Sequence, residues 1–415
     1  MKPTSPLAAL EHRNFRLLWV GQLVSFSGSM AQMAAILWHV SLLVEPSKKG
    51  LALGLVGLVR VIPIIGLGVF SGVVADAHDR RRVMLLTQAG MGAVAAVLAF
   101  LTFHGLSVVW PIYLLAGLGS AIGIFDGPAR HAFVPTLVPR ERLPNAISLM
   151  TIMFQIASVA GPSIAGVIIA TLGVGWVYLV NAASFLVVIG ALLLMRDVPV
   201  QEAAGRGDVS LRSALEGLRF VFRAPMIRST MLLDFFATFF SSATALLPIF
   251  AQDILHVGAR GYGWLYAAPS AGAVLAGIVM VRLVDRVDRR GVVLLQAVAV
   301  YGVATAVFGF SRSFWLTFLC LAVTGAADTV SMVLRNVIRQ LGTPDHLRGR
   351  MTGVNMVFFM GGPQLGEMEA GLVANAFGAP FSVVSGGLGC LVATAWVAAS
   401  TPMLRAYRRE EGAAK

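Results

Sequence analysis

The sequence has few charged residues and almost no cysteine. Only 13% of its 415 residues are charged, whereas charged residues make up about a quarter of a typical soluble domain. Hydrophobic residues reach 57% and the mean hydropathy is +0.80. No soluble core could bury this much apolar side chain, so the composition predicts a chain that lies in a bilayer. Cys320 and Cys390 both fall inside apolar runs, which favours core packing over a disulfide or a metal site.

The motifs of several enzyme and binding classes are also missing. There is no Gly-xxxx-Gly-Lys-Ser/Thr loop, so we expect no ATP hydrolysis. No Ser/His/Asp arrangement or metal-ligand cluster stands out, and no catalytic residue, cofactor or metal is predicted. The net charge of +12 comes from clusters between apolar runs, which indicates membrane topology rather than nucleic-acid binding. The amino terminus lacks the order of features of a signal peptide, and we expect it to be retained.

Twelve apolar segments are long enough to cross roughly 30 Å of hydrocarbon. They run at 15–44, 51–76, 81–103, 107–133, 143–172, 174–196, 226–255, 260–284, 289–310, 313–338, 347–376 and 379–403. Lys and Arg are concentrated at the termini and in the even-numbered loops; the odd-numbered loops contain only Lys48, Lys49, Arg260 and Arg312. This asymmetry predicts that both termini are cytoplasmic.

A short charged turn occurs twice, half a chain apart. Asp76-Ala-His-Asp79-Arg80-Arg81 lies between two apolar runs, and Asp285-Arg-Val-Asp288-Arg289-Arg290 does the same 209 residues later. The two halves also match when Arg16 is aligned with Arg228, which places Gln22 opposite Asp234; Arg130 and Arg335 match as well. Two halves of six spans with the same orientation predict a parallel repeat about an axis along the membrane normal.

The repeat predicts four regions in an all-α membrane protein. These are an N-terminal six-helix bundle, a cytoplasmic linker, a C-terminal six-helix bundle and a cytoplasmic tail, at 1–196, 197–225, 226–404 and 405–415. The linker contains a polar stripe and an apolar stripe at helical spacing: Arg212, Glu216, Arg219 and Arg223 against Leu211, Leu215, Leu218 and Phe222. This pattern predicts an amphipathic helix on the membrane surface, with a protein-binding helix as the alternative.

These residues resemble the major facilitator superfamily along nearly the whole chain. The stretch from Gly72 to Arg81 is similar to its signature loop between helices 2 and 3. Pro128-Ala-Arg130, the stretch from Leu137 to Asn145 and Gly161-Pro162 resemble the drug and siderophore efflux branch, with its enterobactin exporters and macrolide efflux proteins. The resemblance implies alternating access, helices 1, 4, 7 and 10 around a central cavity, and helices 2 and 11 facing each other.

Six charged residues lie at membrane depth away from the segment ends, where an unpaired charge is costly: Arg60, Asp126, Asp234, Asp328, Glu367 and Glu369. Arg60 is about 13 Å from the outer end of its segment, and the two glutamates lie at a similar depth. Because the resemblance makes helices 2 and 11 neighbours, we expect an Arg60–Glu367 or Arg60–Glu369 pair that closes the outer side. The alternative is that Arg60 extends towards the outer surface while one glutamate faces water.

The three aspartates have distinct sequence neighbours. Asp234, on a cavity-lining helix by resemblance, is a substrate contact or proton carrier; the alternatives are a wetted acid or a partner for Arg228. Asp328 is the second candidate for a cavity acid, and its spacing of seven residues from Arg335 predicts no direct pair. Asp126 lies four residues before Arg130, which predicts a structural pair along one helix.

Two further groups are candidates for the substrate site. The polar residues of helix 1 recur every three or four positions and predict either a cavity lining or a contact between helices: Gln22, Ser25, Ser29 and Gln32. Phe235 and the three phenylalanines that follow it predict either an apolar binding wall or ordinary helix packing.

The repeated turns and two Gly-Pro pairs are candidates for conformational roles. The turn residues predict a switch that holds the cytoplasmic side shut, or simply charges that set topology: Gly72, Asp76, Arg80, Arg81, Asp285, Arg289 and Arg290. Gly161-Pro162 and Gly362-Pro363 are expected to bend helices 5 and 11.

The sequence therefore predicts a secondary transporter in the bacterial inner membrane. The expected activity is export of a small amphipathic organic compound, a drug or a siderophore, by antiport with protons. The alternatives are a lipid or lysophospholipid flippase of the same fold and a non-transporting receptor or assembly subunit. The expected partners are the bilayer, a small-molecule substrate and protons, with no nucleic acid, and the expected state is a monomer.

Overall fold

The computed structural model describes residues 7–196, 218–344 and 347–409, which are helical nearly throughout, with no strand among them. The long helices are α1 Arg13–Leu43, α2 Lys49–Ala77, α3 Arg80–Phe103, α4 Trp110–Phe133, α5 Leu143–Thr171, α6 Val174–Leu193, α7 Pro225–Phe240, α8 Gly258–Leu283, α9 Arg290–Phe310, α10 Phe314–Gly342, α11 Arg348–Phe377 and α12 Ala379–Ser400. In this part of the chain, eleven helical segments are long and apolar enough to cross a membrane. The predicted all-α membrane fold is confirmed. Of the twelve predicted spans, the one that is not among these eleven segments is α11, a 30-residue helix that contains Glu367 and Glu369.

Two glycine turns repeat the same backbone geometry in the two halves of the chain. Gly173 (φ 95°) lies between α5 and α6, and Gly378 (φ 91°) lies between α11 and α12, 205 residues later. An L side chain resists this left-handed region, so glycine is needed where one helix ends and the next begins at once. The spacing equals that between Arg130 and Arg335, which supports the predicted internal repeat.

The chain divides into two compact units. The first contains Met1–Leu43 and Ile62–Gly207, and the second contains Val44–Val61 and Asp208–Lys415. The first part of α2 therefore differs from the predicted division, because it groups with the second unit. Glycines explain its close packing there: a Cβ at Gly54 would lie 3.1 Å from Gly371 Cα, and one at Gly50 would lie 2.9 Å from the Gly371 carbonyl oxygen of α11.

In the first unit, α1 packs along α5 and α6, and α3 packs against α4 and α6. A buried cluster around Phe15, Met84 and Phe133 fills one end of this bundle. Gly161 lets α5 approach α1 closely, since a Cβ there would lie 2.7 Å from Met30 Cβ. Gly161 thus has a packing role, and the predicted bend at Gly161-Pro162 stays a prediction.

In the second unit, α8 packs on α10, α9 packs on α10 and α12, and α7 packs on α11 and α12. Gly362 occupies a place similar to that of Gly161, because a Cβ there would lie 2.7 Å from Thr238 Oγ1 of α7. The bend predicted at Gly362-Pro363 likewise stays a prediction. The free thiols of Cys320 and Cys390 are buried, as expected for packing residues.

The seventh span is not the continuous helix predicted at 226–255. After α7 ends, the chain continues through a 3₁₀ turn Ala243–Leu246, the short helix Leu247–Ile249 and a π-helical turn Phe250–Ile254. A side-chain contact with α11 and a proline lie in this interrupted segment. Ser242 Oγ donates to the Pro363 carbonyl at 2.9 Å, and Pro248 has no N–H to donate to the preceding turn. π-turns inside spans often mark functional positions.

The crossing of α8 and α10 gives a test of the packing. A Cβ at Gly325 would overlap the carbonyl oxygen of Pro269, so Gly325→Ala should force the two helices apart. We expect the free energy of unfolding to fall by about 1–3 kcal/mol, measured as a lower melting temperature of the detergent-purified protein. Gly119→Ala is the control, because its Cβ would meet only Val94 Cγ1 at 3.7 Å. Equal melting temperatures for the two variants would contradict this helix crossing.

Candidate functional site

A buried arginine of α4 organises the polar groups of the first unit. Arg130 Nη1 lies 3.3 Å from Asp126 Oδ2, so the pair predicted at this spacing is present. The same nitrogen donates to Gln22 Oε1 of α1 at 3.3 Å, and the guanidinium lies 4.4 Å from the centre of the Phe26 ring. Arg130 therefore ties α4 to α1 through charge, amide and aromatic contacts.

Asp126 is held by α3 as well as by Arg130. Its Oδ1 accepts from Gln88 Nε2 at 2.8 Å and from Thr87 Oγ1 at 3.3 Å. With these donors and one arginine, the carboxylate is compensated in both charge and hydrogen bonds. We call this group, Gln22, Gln88, Asp126 and Arg130, the first-unit arginine cluster.

The polar stripe of helix 1 mainly makes contacts between helices. Gln22 belongs to the first-unit arginine cluster, Ser25 Oγ donates to Gln88 Oε1 at 3.2 Å, and Gln32 Oε1 accepts from Asn181 of α6 at 2.8 Å. Ser29 is half-buried. The cavity role predicted for these four residues stays a prediction, and three of them also have a structural partner.

The second unit contains an arginine cluster at the matching place. Arg335 of α10 is 1% exposed; its Nη1 lies 2.7 Å from Asp234 Oδ1 of α7, and its Nη2 lies 3.3 Å from Asp328 Oδ1. The first contact is a charge pair without the alignment of a hydrogen bond, and the second is a hydrogen bond. We call Asp234, Asp328 and Arg335 the second-unit arginine cluster.

One expectation about these aspartates was wrong, and one of the alternatives for Asp234 is not observed. The seven-residue spacing of Asp328 and Arg335 predicts no direct pair, yet the arginine side chain extends along α10 and reaches the carboxylate. Asp234 was considered as a partner for Arg228, but Arg228 Nη1 donates to the Phe222 carbonyl at 3.5 Å instead. The signal that could have identified Arg335 was its match with Arg130 in the repeat.

The next arginine on α10 is used elsewhere. Arg339 donates to Asn336 Oδ1 at 2.7 Å and to the side-chain oxygen of Asn355 on α11. Tyr301 of α9 lies within electrostatic range of Asp234, Asp328 and Arg335. The second-unit arginine cluster therefore has two carboxylates on one directly paired guanidinium.

The arginines of the first charged turn bind helix ends. Arg80 Nη1 donates to the Ala132 carbonyl near the end of α4 at 2.9 Å, and Arg81 donates to the Leu192 carbonyl near the end of α6 at 2.6 and 3.0 Å. Asp79 caps α3, accepting from the Arg81 backbone N–H at 2.9 Å. The last carbonyls of a helix have no helical partner and carry partial negative charge, which favours arginine.

The second charged turn is joined to the end of the chain. The Gly291 N–H donates to the Tyr407 carbonyl at 3.2 Å, and the Arg409 N–H donates to the Asp288 carbonyl at 3.0 Å. Arg290 is buried, whereas Arg289 is exposed. The side chains of Asp76 and Asp285 lie outside the described residues, as do most of the residues of the predicted linker helix. The switch role of these turns, Gly72 included, stays a prediction.

The predicted outer gate is not formed as an ion pair in this structure. Arg60 lies within electrostatic range of Glu367, but among the described residues neither Glu367 nor Glu369 comes within 4.0 Å of its guanidinium. Glu367 is buried against α2, where a Cβ at Gly57 would lie 2.9 Å from Glu367 Oε2, and this oxygen has no hydrogen-bond partner. Glu369 is half-buried. The pairing remains a prediction.

Lys49, which the sequence analysis assigns to an outer loop, forms a largely buried ion pair. Lys49 Nζ lies 2.9 and 3.0 Å from the two carboxylate oxygens of Asp253 and 3.0 Å from Gln252 Oε1. Only 9% of the lysine side chain is exposed, and both acceptors lie on the π-turn of the seventh span. We call these three residues the Lys49 latch. No sequence signal indicates it, because its members lie 203 and 204 residues apart.

The phenylalanines of α7 mainly pack on each other. Phe235 stacks on Phe239 with ring centres 5.5 Å apart and meets Phe358 of α11 edge-on at 6.0 Å. Phe236 contacts Trp396 of α12 at 6.1 Å. Helix packing therefore accounts for much of this aromatic surface, and a substrate contact at Phe235 stays a prediction.

Comparisons with known proteins agree with this architecture. The model of the family described as transmembrane secretion effector matches residues 4–411. Enterobactin exporter EntS of Escherichia coli O1:K1 / APEC is 28% identical over 385 residues, 92% of this chain and 90% of that protein. Among solved structures, a POT family transporter in complex with thioalcohol conjugated peptide has a TM-score of 0.74 at 10% identity, over 94% of this chain and 96% of that one. A bacterial homolog to the human lysosomal transporter Spinster, inward-facing and unoccupied, has a TM-score of 0.69 at 15% identity, over 98% and 97%.

The family match over residues 4–411, together with the helical spans described above, shows that this chain is a multi-span transporter of the major facilitator superfamily. This class is not enzymatic. The chain belongs to the transmembrane secretion effector family of that superfamily. It is accordingly a protein of the bacterial inner membrane, as predicted.

Proposed function

We propose that this chain exports a small amphipathic organic compound of the siderophore class by proton-coupled alternating access. The carrying observation is the second-unit arginine cluster, where two carboxylates share one directly paired guanidinium in an apolar bundle. A buried charge of this kind is costly and marks ion or substrate pathways. The cargo class follows from the similarity to enterobactin exporters along most of both chains.

Coupling to protons follows from the charge balance of this cluster. One guanidinium compensates one carboxylate, so the second carboxylate has to be ionised at a cost or to hold a proton. A group that changes charge during the cycle can link proton entry to cargo exit. The first-unit arginine cluster has one acid for one arginine and supplies no such group.

The test is cargo-driven proton movement in proteoliposomes that contain the purified protein and an internal pH dye. A catecholate siderophore, a macrolide and a cationic dye are added in turn, and we expect a pH change with the siderophore. Asp234→Asn should abolish the change, because it removes the closest charge partner of Arg335. Glu141→Gln is the control, since Glu141 is an exposed acid in a short turn.

The outcomes separate the alternatives. Siderophore movement without protons would contradict antiport and indicate a uniporter. Movement of labelled lipid between leaflets, with none of the three soluble compounds, would indicate a flippase. No movement of any cargo would favour a receptor or assembly subunit.

A further inference from the structure

The two arginine clusters occupy matched places but differ in where their acids lie. Arg130 and Arg335 are 205 residues apart. Four residues before Arg130 is Asp126, whereas four residues before Arg335 is Ser331, whose buried Oγ has no hydrogen-bond partner. On the facing helix, Gln22 of the first unit matches Asp234 of the second. The second unit thus has no acid one helical turn before its arginine. Its two acids are Asp234 on α7 and Asp328, which lies two turns before Arg335 on α10.

This redistribution leaves the two acids of the second unit unequal. Asp234 lies 2.7 Å from Arg335 and its side chain is 4% exposed, whereas Asp328 lies 3.3 Å away and its side chain is 41% exposed. A buried carboxylate without its countercharge is much less stable than an accessible one. Arg335 therefore compensates Asp234 first, and Asp328 carries the surplus charge.

Within the part of the chain that the structure describes, Asp328 has no second cation in direct contact. Asp234 of α7, Tyr301 of α9 and Arg335 of α10 are the titratable or charged groups that act on it. Arg339 is held by Asn336 and Asn355, and the Cys390 thiol of α12 lies near Tyr301. Among the described residues, its hydrogen bond to Arg335 is the one that Asp328 makes.

Resting on the proton coupling proposed above, we infer that Asp328 is the residue that carries the coupling proton, while Asp234 keeps Arg335 charged and Asp126–Arg130 is a structural copy. A proton from water on one side of the membrane adds to an Asp328 carboxylate oxygen, and Arg335 then pairs with Asp234 alone. Release of this proton to water on the other side restores the Asp328–Arg335 contact. No other bond changes in either step.

The test measures proton movement and cargo movement separately in proteoliposomes. For Asp328→Asn we expect siderophore exchange without a gradient to persist, while cargo-driven proton movement falls by roughly tenfold or more. Asp328→Glu should retain coupling, because it keeps an acid at this position. Asp126→Asn is the matched control: we expect less folded protein, with an unchanged ratio of protons to cargo in the protein that folds.

A chemical rescue keeps the inference testable if the asparagine variant folds poorly. Asp328→Cys should lack coupling and should recover it after reaction with 2-carboxyethyl methanethiosulfonate, which adds a carboxylate to the accessible thiol; Cys320 and Cys390 are buried. An unchanged proton-to-cargo ratio in Asp328→Asn, or no recovery in the modified cysteine variant, would overturn the role of Asp328. Absence of cargo movement in the unaltered protein would instead overturn the proposed function.

Discussion

Arg335→Gln should abolish transport and destabilise the protein. The change removes the guanidinium that compensates Asp234, which is 4% exposed, and the only direct partner of Asp328 among the described residues. Loss of one partner of a buried ion pair costs about 3–5 kcal/mol. We expect a lower melting temperature in detergent and no measurable siderophore transport in the protein that folds, because Asp234 and Asp328 then have no countercharge in the second-unit arginine cluster.

The matched control is Arg130→Gln in the first unit. Asp126 keeps hydrogen bonds from Gln88 and Thr87 after this change, so we expect a smaller loss of stability and a measurable transport rate. The double variant Asp234→Asn/Arg335→Gln separates folding from function: it should regain melting temperature and remain inactive. Normal transport in this double variant would show that the second-unit arginine cluster serves stability alone.

Holding the Lys49 latch closed should slow transport strongly. Helix α2 belongs to the second unit up to Val61 and to the first unit from Ile62. Transport that rearranges these units therefore requires the first part of α2 to leave its partners or the helix to bend near Pro63. We replace Lys49 and Asp253 by cysteine and join them with a short bifunctional methanethiosulfonate, because two cysteine side chains are shorter than the lysine and aspartate side chains that they replace.

We expect linked protein to lose transport by about tenfold or more, as for other gating motions that limit turnover, and to regain it after reduction. The single cysteine variants treated with the same reagent control for modification alone. A second control is Lys49→Asp/Asp253→Lys, which reverses the pair and should retain transport. Full activity of the linked protein would show that residues 44–61 stay fixed on the second unit throughout the cycle.

The membrane fold and its repeat followed from local patterns in the sequence. Long apolar segments, clustered arginines and glycine turns depend on interactions close along the chain or with the bilayer, so composition and spacing were sufficient. The Asp126–Arg130 pair belongs to the same group, because four residues bring side chains together on any helix.

The reach of individual side chains was harder to predict. The helical rise alone places Asp328 and Arg335 too far apart to pair, but the arginine side chain is long enough to reach the carboxylate. The sequence alone does not identify Arg335 as a functional residue, although it matches Arg130 in the repeat. The repeat shows which positions of the two halves match, but it does not show which residues pair. At two matched positions the residue types differ: Gln22 matches Asp234, and Asp126 matches Ser331.

Local sequence was sufficient to predict the helices and the places of the charged turns between them, because these follow from the periodicity and hydropathy of neighbouring residues. Tertiary packing decided which acid each arginine binds and placed the first part of α2 in the second unit. It also decided that Lys49 is buried and pairs with Asp253 of the π-turn, 204 residues away. These contacts depend on close helix crossings at glycines and on side-chain reach between distant segments, which the order of residues does not reveal.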